Sequence, residues 1–220
     1  MRRIGLFGGT FNPIHNGHLI IAEQVRSILN LDMVYFIPSF IPPHKSNENY
    51  SHIHRLAMVN MALKDSVNFY TSKIEINRGT ISYTIDTIHE FKSILGDVRL
   101  FFIIGSDAFM EIHTWKNAKG ILDLCKFVVI NRSAGDHHKI MNNSSKLFVN
   151  NYSHLSLQMI DINNLEYVDD RSIPYINIEP IGISSTHIRR LVKNNKSIKY
   201  LVNNKVIDYI REHNLYKKEF

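Results

Sequence analysis

The sequence predicts an α/β chain built on a doubly wound parallel sheet, and two observations carry that expectation. Short, almost wholly apolar runs recur along the 220 residues, as strands buried on both faces require. Between them lie stretches whose apolar residues repeat at helical spacing. Alternating strands and helices give a parallel sheet covered on both faces. Such a sheet takes its ligands beyond the carboxyl ends of the strands, where the strand order reverses.

From the amino terminus, RIGLF at 3–7 is the first strand. The turn-rich stretch GGTFNPIHNGH at 8–18 separates it from a helix that begins near Asn16 or Gly17 and repeats Leu19, Ala22, Val25, Ile28 and Leu29. MVYFIP at 33–38 is the second strand, followed by a helix through Leu56, Val59 and Leu63. FYTSKIEI at 69–76 reads as a strand and leads to a helix through Ile85, Ile88, Phe91 and Leu95. VRLFFIIG at 98–105 and KFVVIN at 126–131 are further buried strands. From Ser133 to about Tyr175 the chain is rich in Asn, Ser and His with little periodicity, and reads as an insertion. YINIEP is the last strand, SSTHIRRLVKN a helix with a Ser/Thr start, and IKYLVNNKVIDYIREHNLY an amphipathic helix, which puts the terminal helices at about 184–216. The expected organisation is one domain over 1–220.

Apolar residues at 44 % and charged residues at 21 % suit an ordinary globular protein with its own core. The net charge of +6 favours anionic partners, but lysines and arginines are scattered with no basic stripe, so nucleic acid is not expected. The longest apolar runs fall far short of the roughly 20 residues needed to cross a bilayer, so no membrane partner is expected. The single cysteine, Cys125, can form no internal disulfide and reads as a small buried apolar residue, which points to a reducing, cytoplasmic location. The sequence leaves a homo-oligomer open.

The chemistry concentrates at the first turn. Gly8 and Gly9 let backbone N–H groups approach a ligand, and the following helix N-terminus favours an anion. This cradle lacks the GxGxxG spacing of a dinucleotide fingerprint and the Lys-Ser/Thr of a P-loop. His15 and His18, three apart at the helix entry, can both reach one side of it and donate to phosphate oxygens. A zinc site is the rival use, with a third ligand from His44, His52 or His54, but HxxH without a flanking carboxylate or cysteine is a poor zinc signature. Near the other end, ISSTHIRR at 183–190 repeats the physics: hydroxyls at a helix start, outward N–H groups and Arg189 one turn further in. Paired with the first cradle, it reads as the opposite jaw of a triphosphate site.

These stretches together carry a family resemblance. GGTFNPIHNGH resembles the signature of the (H/T)xGH nucleotidyltransferases, and ISSTHIR resembles their ISSTxIR motif. IPSFIPPHK, SYTIDTI, IGSDAFMEIHTWK and IDYIREHNLY resemble segments of the bacterial nicotinate-mononucleotide adenylyltransferases, nearly end to end. The resemblance implies a Rossmann-like fold and transfer of AMP from ATP to nicotinate mononucleotide, giving deamido-NAD and pyrophosphate. It implies that Gly8, Gly9, Thr10 and Phe11 line the ATP site and that His15 and His18 hold the triphosphate and stabilise the transition state. Ile183, Ser184, Ser185, Thr186 and Arg189 would grip the β and γ phosphates, and Gly105 and Asp107 would meet the adenosine. His44, Lys45, Thr84 and Trp115 would serve the mononucleotide, with Thr84 and nearby backbone at the nicotinate carboxylate and Trp115 stacked on the ring. Mg²⁺ is the implied cofactor, bound through the phosphates and not by protein side chains.

The chain departs from the pattern at Asn12, where Asp is common, and at NRSAG, which replaces RPG and leaves Arg132 without an assigned role. Three alternatives stay open at this stage. The acceptor could be nicotinamide mononucleotide, alone or alongside the acid; another transferase of the fold could use phosphopantetheine or a cytidylyl donor; and a non-catalytic nucleotide sensor could keep the same architecture.

Overall fold

The computed structural model describes residues 1–43, 51–131, 156–160, 172–178 and 181–217. Its strands are β1 (Arg2–Gly9), β2 (Met33–Pro38), β3 (Phe69–Thr71), β4 (Val98–Gly105), β5 (Lys126–Ile130), β6 (Ser156–Ile160) and β7 (Ser172–Ile176). Its α-helices are α1 (Asn16–Ile28), α2 (His52–Leu63), α3 (Ile74–Arg78), α4 (Thr84–Leu95), α5 (Ser106–Met110), α6 (Ala118–Leu124), α7 (Ser185–Lys193) and α8 (Asn204–Glu212). The strands form one seven-stranded sheet in the order β3-β2-β1-β4-β5-β7-β6, and every pairing is parallel.

Strand pleat sorts the apolar runs onto two faces. Phe101 and Ile103 of β4 and Val128 and Ile130 of β5 join one core with Val25 of α1, Met58 and Val59 of α2, Ile188 of α7 and Val206 of α8. Their neighbours Leu100, Phe102, Ile104, Phe127 and Val129 join the other, against Ile85 and Ile88 of α4, Phe109 of α5 and Ile121 of α6. Both faces are therefore covered, which is why the strands read as continuous apolar runs and not as alternating ones. β1 lies between β2 and β4, so the strand order reverses beside it. That places the expected crevice beyond Gly9 and Gly105.

Three elements differ from the sequence reading. The strand expected at 69–76 stops at Thr71, and residues 74–78 are helical. The Ser72 hydroxyl accepts from the Ile74 N–H at 3.3 Å and Gly79 ends the helix at φ 66°, so local capping overrides the β-branched run. The expected insertion at 133–175 contains β6 and most of β7, which begins at Ser172 and not at Tyr175. β6 is an edge strand with exposed and half-buried positions, so its apolar signal is diluted. The last helix spans only Asn204–Glu212, because the Asn203 side chain caps it by accepting from the Lys205 N–H at 2.9 Å. Arg132 lies outside the described residues.

Candidate active site

The crevice at the end of β1 is formed by residues 8–18. The Phe11 ring folds back under the turn and packs edge-on against Phe7 and His18, with centroids 5.9 and 5.0 Å away. Phe11 sits at φ 50°, a left-handed conformation that a bulky residue holds only where its surroundings enforce it. Gly9 makes room for that ring, since a Cβ there would stand 3.1–3.3 Å from three of its atoms. Gly17 does the same for His15: its Cβ would lie 3.0 Å from Nδ1 and 3.1 Å from Cε1 of that imidazole.

The two histidines meet. Their rings stack at 3.7 Å between centroids, with 25° between planes, His15 buried and His18 half-buried. The backbone N–H of His15 donates to Nδ1 of His18 at 3.2 Å. A nitrogen that accepts carries no proton, so the neutral His18 ring holds its proton on Nε2.

The turn's main chain is held by side chains from remote parts of the chain. Arg55 of α2, 3 % exposed, donates to the Thr10 carbonyl at 2.8 Å and to the Phe40 carbonyl at 3.1 Å. Arg189 donates to the Asn12 carbonyl at 2.7 Å and to the Thr186 hydroxyl at 3.2 Å, and the Ser185 hydroxyl donates to the Pro13 carbonyl at 2.8 Å. The Tyr216 hydroxyl, buried, donates to Oδ1 of Asn12 at 2.7 Å. Asn16 is tied at both its N–H and its side-chain amide, to the carbonyls of Leu201 at 2.8 Å and Tyr200 at 2.7 Å.

The 183–189 segment is thus docked onto the first turn. Ser184 caps α7 by accepting from the His187 N–H at 3.2 Å, so the hydroxyls of Ser184 and Ser185 are engaged within the protein. The α7 start itself, with Ile183 just before it, sits over the turn: Ile181 is the next neighbour that a Cβ on Gly17 would meet, at 3.5 Å. Gly105 ends β4 across the crevice, and Asp107 is exposed in the first turn of α5. Among the described residues no group of three or more His, Cys, Asp or Glu could hold a metal ion, so His52 and His54 do not complete a zinc site with the stacked pair. His44 and Lys45 lie outside the described residues.

Beside the second core, where Tyr83 and Trp115 pack, lies an open cavity of about 110 Å³, lined by Pro43, Ser82, Tyr83, Thr84, Trp115 and Lys116 among others. It brings together Thr84 and Trp115, which are 31 positions apart (115 minus 84). Trp115 stands edge-on to Phe102 at 6.1 Å, and the same Phe102 ring lies 3.4 Å from where a Cβ on Gly8 would be. Phe102 therefore meets both Gly8, where the turn begins, and Trp115 of the cavity wall. Thr84, the first residue of α4, lines the cavity, and the Tyr83 side chain before it makes no capping hydrogen bond to that helix start. Lys116 pairs with Asp86 at 3.0 Å and lies over the Tyr83 ring at 4.6 Å.

The cytidylyltransferase-like family model matches residues 6–191. A Clostridium acetobutylicum protein named "Probable nicotinate-nucleotide adenylyltransferase" is 41 % identical over 217 residues, covering 98 % of this chain and 100 % of its own. The chain belongs to the nicotinate-nucleotide adenylyltransferases. A Thermoanaerobacter relative in the same family is 39 % identical over 219 residues, covering 99 % of this chain and 95 % of its own. Two solved structures of Plasmodium falciparum nicotinic acid mononucleotide adenylyltransferase, complexed with NaAD and with APC, share the fold at TM-scores of 0.70 and 0.69. Each is 18 % identical and covers 98 % of both chains.

In this member of the family the sequence reading named Ser185 and Arg189 and missed Arg55, Tyr216 and Asn16, which also hold the site turn. Arg55 carried a usable signal, because it falls on the stripe of α2 that continues through buried Met58 and Val59, where an arginine is out of place. Tyr216 and Asn16 carried none, since their partners are 204 positions (216 minus 12) and about 185 positions away in sequence.

Proposed function

We propose that this protein carries out the reaction for which its family is named, moving AMP from ATP onto nicotinate mononucleotide to release deamido-NAD and pyrophosphate. The observation that carries the reading is that one ring meets both candidate subsites: Phe102 lies 3.4 Å from where a Cβ on Gly8 would be, at the start of the turn that carries the stacked His15–His18 pair, and stands edge-on to Trp115 of the cavity at 6.1 Å. A triphosphate laid along the turn would put its α-phosphorus beside the histidines, while a pyridine ring in the cavity would bring its own phosphate toward the same point.

A phosphate monoester has a second pKa near 6, so the acceptor is largely dianionic at neutral pH and needs no general base. One of its oxygens forms the bond to the α-phosphorus as the bond to the β-bridging oxygen breaks, and pyrophosphate leaves with the electron pair. What the site supplies is position and charge stabilisation. His18, with its proton on Nε2, is the donor that would meet the charge developing on the leaving side; His15 would hold the triphosphate. The backbone of Gly8, Gly9, Thr10 and Phe11, the α7 start and Arg189 would complete the phosphate contacts, and the Asp107 carboxylate would take the ribose hydroxyls.

Mg²⁺ fits as a cation that enters with ATP. Among the described residues the site offers N–H groups and imidazoles and no carboxylate cage, and a hard cation that keeps its own waters needs no more. It would supply charge neutralisation along the phosphates. The uncapped α4 start at Thr84 suits the nicotinate carboxylate, and an amide in its place would leave those donors poorly paired.

The test is pyrophosphate release with ATP and Mg²⁺, comparing nicotinate mononucleotide with nicotinamide mononucleotide. Turnover with the acid and little with the amide is expected. Equal rates would move the protein to a dual-specificity branch, and no turnover with either would overturn the enzymatic reading in favour of a nucleotide sensor.

A further inference from the structure

Arg55 is a cation placed where a leucine or methionine would fill the space at no electrostatic cost. A buried charge is expensive unless it is well hydrogen-bonded. At 3 % exposure its guanidinium continues the tie between two segments beyond the last β1–β2 contact, the Ser39 N–H to Gly9 carbonyl bond at 3.0 Å: Nη1 reaches Thr10 in the turn after β1, and Nη2 reaches Phe40 in the strap after β2. The strap is in turn bonded to the wall of the cavity. The Phe40 N–H donates to the Ser82 hydroxyl at 2.9 Å, and the Ser82 N–H donates to the Ile41 carbonyl at 2.9 Å. Ser82 lines the cavity and stands two residues before Thr84.

We propose that Arg55 is a positioning residue that holds the phosphate turn and the mononucleotide cavity in one register, so that neither subsite can shift without the other. The inference rests on the proposed two-substrate reaction. A planar fork with donors at fixed spacing can hold two carbonyls at once, whereas a lysine is a point charge that satisfies one of them. In-line attack needs the two substrates aligned to within about 1 Å, and a misplacement of that size costs on the order of 100-fold in rate. Arg55 touches neither substrate; it acts through the Thr10 and Phe40 main chain.

The experiment is a bisubstrate kinetic comparison of wild type with Arg55→Lys and Arg55→Met, alongside thermal melting. Arg55→Lys should lower kcat/KM for both ATP and nicotinate mononucleotide by about 10- to 100-fold, with kcat falling as well, while the melting temperature falls by only a few degrees. Saturating one substrate should not restore the rate. A defect confined to one substrate, or a lower melting temperature with unchanged kinetics, overturns the proposal. Should Arg55→Met fail to fold, Arg55→Lys decides alone. Should wild type itself show no turnover, the functional reading fails separately, and titrating ATP and nicotinate mononucleotide one at a time into wild type and Arg55→Lys still decides the bridge: weakened binding of both supports it, and weakened binding of one or neither overturns it.

Discussion

The phosphate turn and the cavity wall beside it are held in different ways. Around the turn, Arg55, Ser185 and Arg189 all donate to backbone carbonyls, and Asn16 is tied through its own N–H, so the path of the main chain is what is held. Behind the cavity, side chain meets side chain. Glu75, 7 % exposed, accepts from the Thr87 hydroxyl at 2.7 Å and is hydrogen-bonded by Ser82, and Arg78 bridges Thr87 and Glu90. The first arrangement contains no titrating carboxylate among these contacts and suits a step that needs fixed geometry. The second contains a buried carboxyl and suits a pocket that only has to fit a ring. The difference teaches that one protein can fix a turn through its main chain and brace a neighbouring wall through side chains, with the buried carboxyl of Glu75 in the second.

The sharpest way to break this contrast is at His18. Replacing it with Ala should lower kcat by about 100- to 1,000-fold with a modest change in KM, as loss of a preorganised transition-state donor does. An unchanged kcat in steady-state kinetics would remove the turn from the chemistry.

Next in size is Tyr216→Phe, which leaves Oδ1 of Asn12 without the buried hydroxyl that donates to it. A cost of about 1–3 kcal/mol is expected, readable in denaturant unfolding, together with a several-fold fall in kcat. Lost stability with unchanged kcat would mean that the C-terminal segment supports the fold and not the turn.

Trp115→Ala sharpens the other half. It should raise KM for the mononucleotide by about 2- to 12-fold, the equivalent of an aromatic contact, and leave the ATP affinity unchanged. An effect on ATP instead would exchange the two subsites.

The smallest effect is a pH dependence of stability. Burial holds the Glu75 carboxyl above its ordinary value of 4.5, with the Thr87 and Ser82 hydrogen bonds opposing. The folded state therefore keeps this proton longer than the unfolded state, so the contribution is greatest below the ordinary value and is lost as pH rises through the raised one. Glu75→Gln should gain stability relative to wild type at about pH 8 and lose that advantage at about pH 4, by unfolding at each pH. A constant difference would show that the carboxyl does not titrate in that window.

What the sequence by itself determined was local. The buried strands β1, β2, β4 and β5, the α1 entry at Asn16 and the Ser184 cap are legible because pleat, helical period and capping act over a few residues. His15 and His18 were legible for the same reason, being three apart at one helix start. Weakly patterned segments were not: α3 was hidden in an apolar run that looked extended, and β6 in a polar stretch whose strand character depends on its parallel pairing with β7. The stack of the two imidazoles, the meeting of Thr84 with Trp115, and the hold of Arg55 and Tyr216 on the turn were decided only by tertiary structure. The last two need chain segments far apart in sequence to meet, and the stack, though local, is a ring contact set by distances of a few ångströms that no spacing along the chain records.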